Sequence, residues 1–188
     1  MTDLQRSPEY LLMTEDTSPP LGPASPAFEA AYRAEFSYVW HSLRRLGIDD
    51  RDLEDLTHDV FMVAHRRFEE YDSSRPIRPW LFGIALRLVS HFRARAHHAR
   101  EVFTDAPHVH DESAAPDEVA SARQQRSILF AALAGLSPEK QSVFVMHDLN
   151  GHNMPEVAQA LAIPLNTAYS RLRLARADLV DAIVRLRA

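Results

Sequence analysis

Apolar residues recur along most of this chain at three- and four-residue steps, the spacing that lines one face of an α-helix. Phe28, Tyr32, Phe36, Val39, Leu43 and Leu46 form the first such stripe, and Gly47 follows where a left-handed C-cap would end the helix. Asp49 or Asp50 can cap a second helix, whose inner stripe is Leu53, Leu56, Val60, Ala64 and Phe68. A helical hairpin is the expected result. The segment 69–79, EEYDSSRPIRP, breaks the pattern with two prolines, two serines and an aspartate, which predicts an irregular loop. A third helix then starts near Pro79, with Trp80, Ile84, Leu88 and Phe92 spaced by four on its inner face.

Periodicity disappears between about Arg100 and Ala122, where acids, histidines and prolines predict an interdomain linker. Beyond it Ile128, Leu129 and Leu133 mark a helix closed by Gly135, and Ser137 with Pro138 cap and open another that carries Val143, Phe144 and Val145. The flanks of Asn150-Gly151 lack the period of two that a β-hairpin needs, so this dipeptide is read as a turn between helices. Asn153 and Glu156 have capping-box spacing, Pro155 suits a first turn, and Val157, Ala158 and Leu161 face inward. A break at Ala162-Ile163-Pro164 leads to a last helix with Leu165, Ala168, Leu172 and Ala175 inward, which is helix-turn-helix grammar. The predicted fold class is all-α. Two small helical domains, 27–100 and 127–188, are joined by a flexible linker over 101–126 and preceded by a disordered leader over 1–26, which holds five of the twelve prolines.

Composition narrows the function classes. The absence of cysteine excludes disulfide-stapled modules, thiolate zinc fingers and cysteine nucleophiles. No basic start with an apolar core and no run of eighteen apolar residues is present, so neither a signal peptide nor a membrane span is expected, and a cytoplasmic location follows. The net charge of -5 argues against a nucleic-acid binder, but its distribution reverses that reading. Residues 27 to 72 hold eleven acids against six bases, whereas residues 73 to 100 hold six arginines and no acid. Twenty of the 21 basic residues are arginine, suited to phosphate or guanine edges, although coding bias explains that equally well.

Three constellations carry candidate chemistry. Asp52, Asp55 and Asp59 line one side of the second helix beside Glu54 and His58. That face is either solvated, a dock for a basic partner or, least well, a metal site, because one straight helix does not converge enough oxygens. In the helix-turn-helix, the outward residues Asn166, Thr167, Ser170, Arg171, Arg173 and Arg176 precede the first acid, Asp178; they suit a DNA major groove or are the basic solvated face of a bundle. His97, His98, His108, His110 and Asp111 flank or occupy the linker without a helical zinc pair, so no metal is expected. No glycine-rich phosphate loop or nucleophile motif is present either, and neither a cofactor nor an enzymatic activity is expected.

The string DLEDLTHDVFMVAHRRFEEYDSSRPIRPWLFGIALRLVSHFRARA resembles the second region of bacterial sigma factors of the extracytoplasmic-function group, and LSPEKQSVFVMHDLNGHNMPEVAQALAIPLNTAYSRLRLARADL resembles their fourth region. The order of a D-x-x-D-L helix, the P-W-L-F-G-I-A run, a linker and a helix-turn-helix is much more specific than any one of them. The resemblance implies that Asp52, Asp55, Leu56, Asp59 and Phe61 dock on core RNA polymerase. It places Tyr71, Ser73, Ser74, Arg75 and Arg78 near an extruded base of the minus-10 promoter element, with Arg87, Arg93 and Arg95 along the phosphates. Asn166, Thr167, Ser170, Arg171, Arg173 and Arg176 would read the minus-35 element. An inhibitory anti-sigma factor is a further implied partner. The chain departs from the pattern at Arg87 and His91, where many relatives carry asparagine and aspartate, and at Tyr169, often a basic position. A DNA-binding regulator independent of polymerase and a protein-binding helical adaptor are the competing functions.

Overall fold

Ser25 opens the first helix: its hydroxyl oxygen accepts the Phe28 amide at 3.2 Å, and Pro26 follows at the first helical position, where no amide donor is needed. The computed structural model describes residues 23–102 and 117–187, and every regular element among them is helical. Helix α1 (Pro26–Arg45) ends at Gly47, whose φ of +86° turns the chain so that the Ile48 amide donates back to the Leu43 carbonyl. Asp49 occupies the N-cap of α2 (Asp50–Arg66), and a 3₁₀ turn over Phe68–Glu70 follows.

Helix α3 (Ile77–Val102) begins two residues before the expected Pro79. Its first turn accommodates this proline because the first four amides of a helix have no intrahelical acceptor. The buried arc of α3 is also wider than the expected stripe: Leu81, Phe82, Ile84, Ala85 and Val89 are buried, while Trp80, Leu88 and Phe92 are only partly so. The cause is packing on two sides, against α1 and α2 on one and against the helix-turn-helix on the other.

Helix α4 (Asp117–Ala134) corrects the expected linker, which extended to residue 126. Residues 124 to 127 are exposed and so contribute no apolar stripe, but the segment is rich in Ala, Gln and Arg and starts with two acids at the positive end of the helix dipole. Ser137 caps α5 (Pro138–Phe144), which runs into a π-helical turn over Val145–Leu149. That wider turn accompanies six consecutive buried residues, Gln141 to Met146, and closes with the Asn150 amide on the Val145 carbonyl at 2.9 Å.

The helix-turn-helix consists of α6 (Met154–Ala160) and α7 (Leu165–Arg187). Asn153 and Glu156 form a reciprocal capping box, and Ala162 takes a left-handed φ of 52° in the turn. Ala168, Leu172, Ala175 and Leu179 are the buried face of α7, but Leu165, expected inward, is 42% exposed at its first position.

Helices α1–α3 and α4–α7 are two lobes, as expected, but they do more than share a tether. Their buried apolar residues form one contiguous cluster, and α3 packs directly on α6. Gly83 permits this approach: a Cβ there would stand 3.4 Å from the Ala160 carbonyl oxygen.

Candidate functional site

The acidic face of α2 divides by burial. Asp55 and Asp59 are exposed, and Asp52 is partly covered, with Arg51 Nε 3.3 Å from its carboxylate. Leu56 and Phe61, assigned with them to partner docking, are 5% and 4% exposed. Both side chains are packed within the lobe, beneath the carboxylates. Phe61 packs edge-on against Tyr32, with ring centroids 4.7 Å apart, and stacks parallel to Phe36 at 6.3 Å, so it fixes α2 on α1 beneath the carboxylates.

The loop after α2 is ordered by its own side chains. Asp72 accepts the Ser74 amide at 3.0 Å and the Ser74 hydroxyl at 2.6 Å, and Arg75 Nε approaches the same carboxylate at 3.1 Å. These bonds hold the Asp72 carboxyl below the usual carboxylate range. Tyr71 donates its hydroxyl to the Arg75 carbonyl and lies tilted against Trp80, centroids 5.1 Å apart. Ser73, Ser74 and Arg75 remain exposed above this aromatic floor. Arg78, also exposed, donates to Glu35 at 2.7 Å and lies over the Tyr38 ring.

The arginines of α3 meet three different environments. Arg95 is exposed. Arg87 is half-buried beside Arg67, with no acid partner among the described residues, and both burial and that neighbour disfavour its charge. An anion brought to Arg87 therefore meets a desolvated, unneutralised guanidinium. Arg93 is instead engaged within the chain: its guanidinium donates to the Leu46 carbonyl and, at 3.1 Å, to Gln141 of the other lobe.

On α7, Asn166, Ser170, Arg173 and Arg176 are exposed, while Thr167 and Arg171 are partly buried. Tyr169 stands with them at 53% exposure, so it is a surface residue of this helix and not a packing one. Arg176 donates through Nε and Nη2 to both carboxylate oxygens of Asp148, at 2.8 and 2.7 Å, which leaves the terminal edge of its guanidinium pointing elsewhere. Neither Asp148 nor its position on the π-helical turn was visible in the sequence, because the pairing crosses 28 residues.

Among the described residues no cluster of three metal-ligating side chains occurs, and no helix is long and apolar enough to cross a membrane. The side chains of His97, His98, His108, His110 and Asp111 lie outside the described residues.

Two family models match the chain: Sigma-70 region 2 over residues 31–99 and Sigma-70 region 4 over residues 126–179. The ECF RNA polymerase sigma factor SigL of Mycobacterium tuberculosis is 30% identical over 147 residues, covering 78% of this chain and 82% of SigL. RNA polymerase sigma factor NccH of Alcaligenes xylosoxydans xylosoxydans is 28% identical over 141 residues, 72% of this chain and 75% of NccH. The fold is shared with CnrH, solved in complex with the cytosolic domain of CnrY (TM-score 0.63, 23% identity, 86% of this chain and 90% of that one). It is also shared with RpoE of Bartonella quintana, solved in complex with the anti-sigma factor NepR (TM-score 0.67, 18% identity, 85% of this chain and 98% of that one). With both regions present in order on two helical lobes, the chain belongs to the extracytoplasmic-function group of the sigma-70 family, the subunits that bind core RNA polymerase and direct it to promoters.

Proposed function

We propose a division of labour among the surfaces of this sigma factor. The exposed carboxylates Asp55 and Asp59, with Asp52 at their edge, dock on a basic surface of core RNA polymerase, and buried Leu56 and Phe61 hold that face in place. The loop over Tyr71–Arg78 and the exposed start of α3 receive the melted minus-10 element. Extruding a base costs a few kcal/mol, and stacking on an aromatic floor such as Tyr71 and Trp80 returns about 1 to 3 kcal/mol. Arg87 and Arg95 take the neighbouring phosphates. Asn166, Thr167, Ser170, Arg171, Arg173 and Arg176 of α7 enter the major groove of the minus-35 element.

The observation that carries this reading is Arg87, a half-buried guanidinium with no acid partner among the described residues, on the helix that follows the aromatic loop. A phosphate would stabilise a partly desolvated charge of that kind. The chain itself performs no catalysis, acts in the cytoplasm with the polymerase, and is a target for an anti-sigma factor, as RpoE is solved with the anti-sigma factor NepR.

Run-off transcription with purified core polymerase on a promoter library tests the reading. Initiation from a defined subset of promoters is expected, and Arg87→Ala should weaken it without altering polymerase binding. A chain that binds duplex DNA tightly yet ignores polymerase would be a regulator of another kind.

A further inference from the structure

Helix α7 carries more apolar surface than its packing uses. Ala168, Leu172, Ala175 and Leu179 are its buried face, yet Leu165 at its start and Tyr169 one turn on remain 42% and 53% exposed. They stand four residues apart, and Arg173 follows after four more, so the three side chains lie along one line of the helix. Asn166 and Ser170 flank that line and are exposed as well. The turn that carries Leu165 is closed by a backbone bond, the Ala168 amide donating to the Pro164 carbonyl at 3.1 Å.

Single apolar residues on a surface are ordinary, and position decides whether these two matter. From Leu165 to Arg173 the helix rises about 12 Å, the width of the major groove of B-form DNA. The other large exposed apolar residues of α7 fall off that line or outside that span. Leu174 is turned by about 140° from Tyr169, and Val180, Val184 and Leu186 begin roughly 22 Å from Leu165. Between Leu165 and Arg176 the helix holds Arg171, Arg173 and Arg176 and no acid, so phosphates are attracted to this end of it. A helix that enters the groove by its first turns therefore carries Leu165 and Tyr169 to the base edges together with Asn166, Ser170 and Arg173.

Base edges in that groove are almost wholly polar. Guanine offers N7 and O6, adenine N7 and its amino group, cytosine its amino group, and thymine O4 together with a C5-methyl group. Opposite any of the first three, an isobutyl group or the face of a phenol ring strips water from a donor or acceptor and returns no hydrogen bond. Opposite thymine it covers a methyl group, which favours binding by about fourfold for each one covered.

We propose that Leu165 and Tyr169 are specificity-determining residues that read thymine C5-methyl groups in the minus-35 element. The inference rests on the assignment of α7 to that element and adds the chemical group it selects. Its test uses holoenzyme, the full chain with core polymerase, on the promoter it selects best from a library, synthesised with either thymine or deoxyuridine at every thymine position of the minus-35 element. Deoxyuridine lacks only the methyl group, so it should weaken promoter binding by about fourfold per methyl contacted. Leu165→Ala with Tyr169→Ala should weaken binding to the thymine duplex and bring the two duplexes close to equal, whereas Tyr169→Phe should keep the difference. An altered duplex shape in deoxyuridine DNA would persist in the double variant, so an undiminished difference there overturns the inference. Equal binding of the two duplexes by the unsubstituted holoenzyme overturns it too, as does a selected minus-35 element without thymine. A loss in Tyr169→Phe that is the same on both duplexes would make Tyr169 a phosphate contact and overturn its role. Holoenzyme that selects no minus-35 sequence at all would instead overturn the reading of α7 itself.

Discussion

Tyr38 and His152 meet at 2.8 Å, hydroxyl to Nε2, from opposite lobes and 114 residues apart in sequence. Burial pushes the Tyr38 hydroxyl up to about 12, so it remains a donor at every physiological pH. Its partner does not remain an acceptor. Burial lowers the His152 pKa below its ordinary 6.5 against the opposing pull of Glu156, with Arg78 of α3 adding to the depression. The unfolded state therefore binds the proton first, and the stability this contact contributes is fully present above about pH 6.5 and is lost as pH falls. Between pH 7.5 and 5.5 the melting temperature should fall in the unsubstituted chain. Tyr38→Phe should cost about 1 to 3 kcal/mol of stability, because it leaves His152 buried without its donor.

Charge reversal at Asp55 and Asp59 should abolish association with core polymerase and leave the melting temperature nearly unchanged, since both are exposed. Leu56→Ala and Phe61→Ala should do the opposite first: each opens a cavity under the same face and costs about 2 to 5 kcal/mol of stability. Calorimetry alongside co-purification separates the two classes, and polymerase binding lost with no stability change in Leu56→Ala would return that residue to the contact surface.

Arg176 is held by both oxygens of Asp148, which restricts the direction in which its free edge points. Asp148→Asn should reduce discrimination among minus-35 sequences more than it reduces overall duplex affinity, because a carboxylate near DNA repels phosphate while it orients the arginine. Arg176→Ala and Arg171→Ala should each cost about 1 to 3 kcal/mol where they read a base, and act uniformly over sequences where they touch phosphate only. A binding survey over randomised sites reads both effects.

Ala162 adopts φ 52° in the helix-turn-helix bend, a region that costs an L-residue about 1 to 2 kcal/mol. Ala162→Gly removes that cost and adds some entropy to the unfolded chain, so a net gain of about 0.5 to 1 kcal/mol is expected by thermal denaturation. Thr57 is fully buried, and its hydroxyl has no hydrogen-bond partner among the described residues. Thr57→Val should stabilise the first lobe by about 1 kcal/mol, and a destabilised variant would show that the hydroxyl is satisfied.

Much of this architecture was legible in the sequence because it is local. The stripes of α1 and α2, the Ser137-Pro138 start and the Asn153–Glu156 capping box depend on residues within one or two turns of each other. Leu81, Phe82 and Val89 were missed because α3 is covered from two sides, so its apolar arc no longer follows a single four-residue step. The first half of α4 was missed because its sequence carries no apolar stripe, and residues 124 to 127 are exposed. Asp148, Asn150 and His152 find their partners 28 to 114 residues away, and nothing in their spacing signals those meetings. The outward residues of α7 were readable as a surface, but the restraint on Arg176 was not.

Arg93 has a consequence for ionic strength. Its guanidinium is held by the Leu46 carbonyl and the Gln141 side chain, two neutral acceptors that fix its position without neutralising its charge. Each phosphate neutralised steepens the logarithmic salt dependence of binding by about 0.7 to 0.9. Arg93→Gln should therefore lower that slope by close to this amount where a phosphate reaches the side chain in the complex, and leave it unchanged where the guanidinium stays with Leu46 and Gln141.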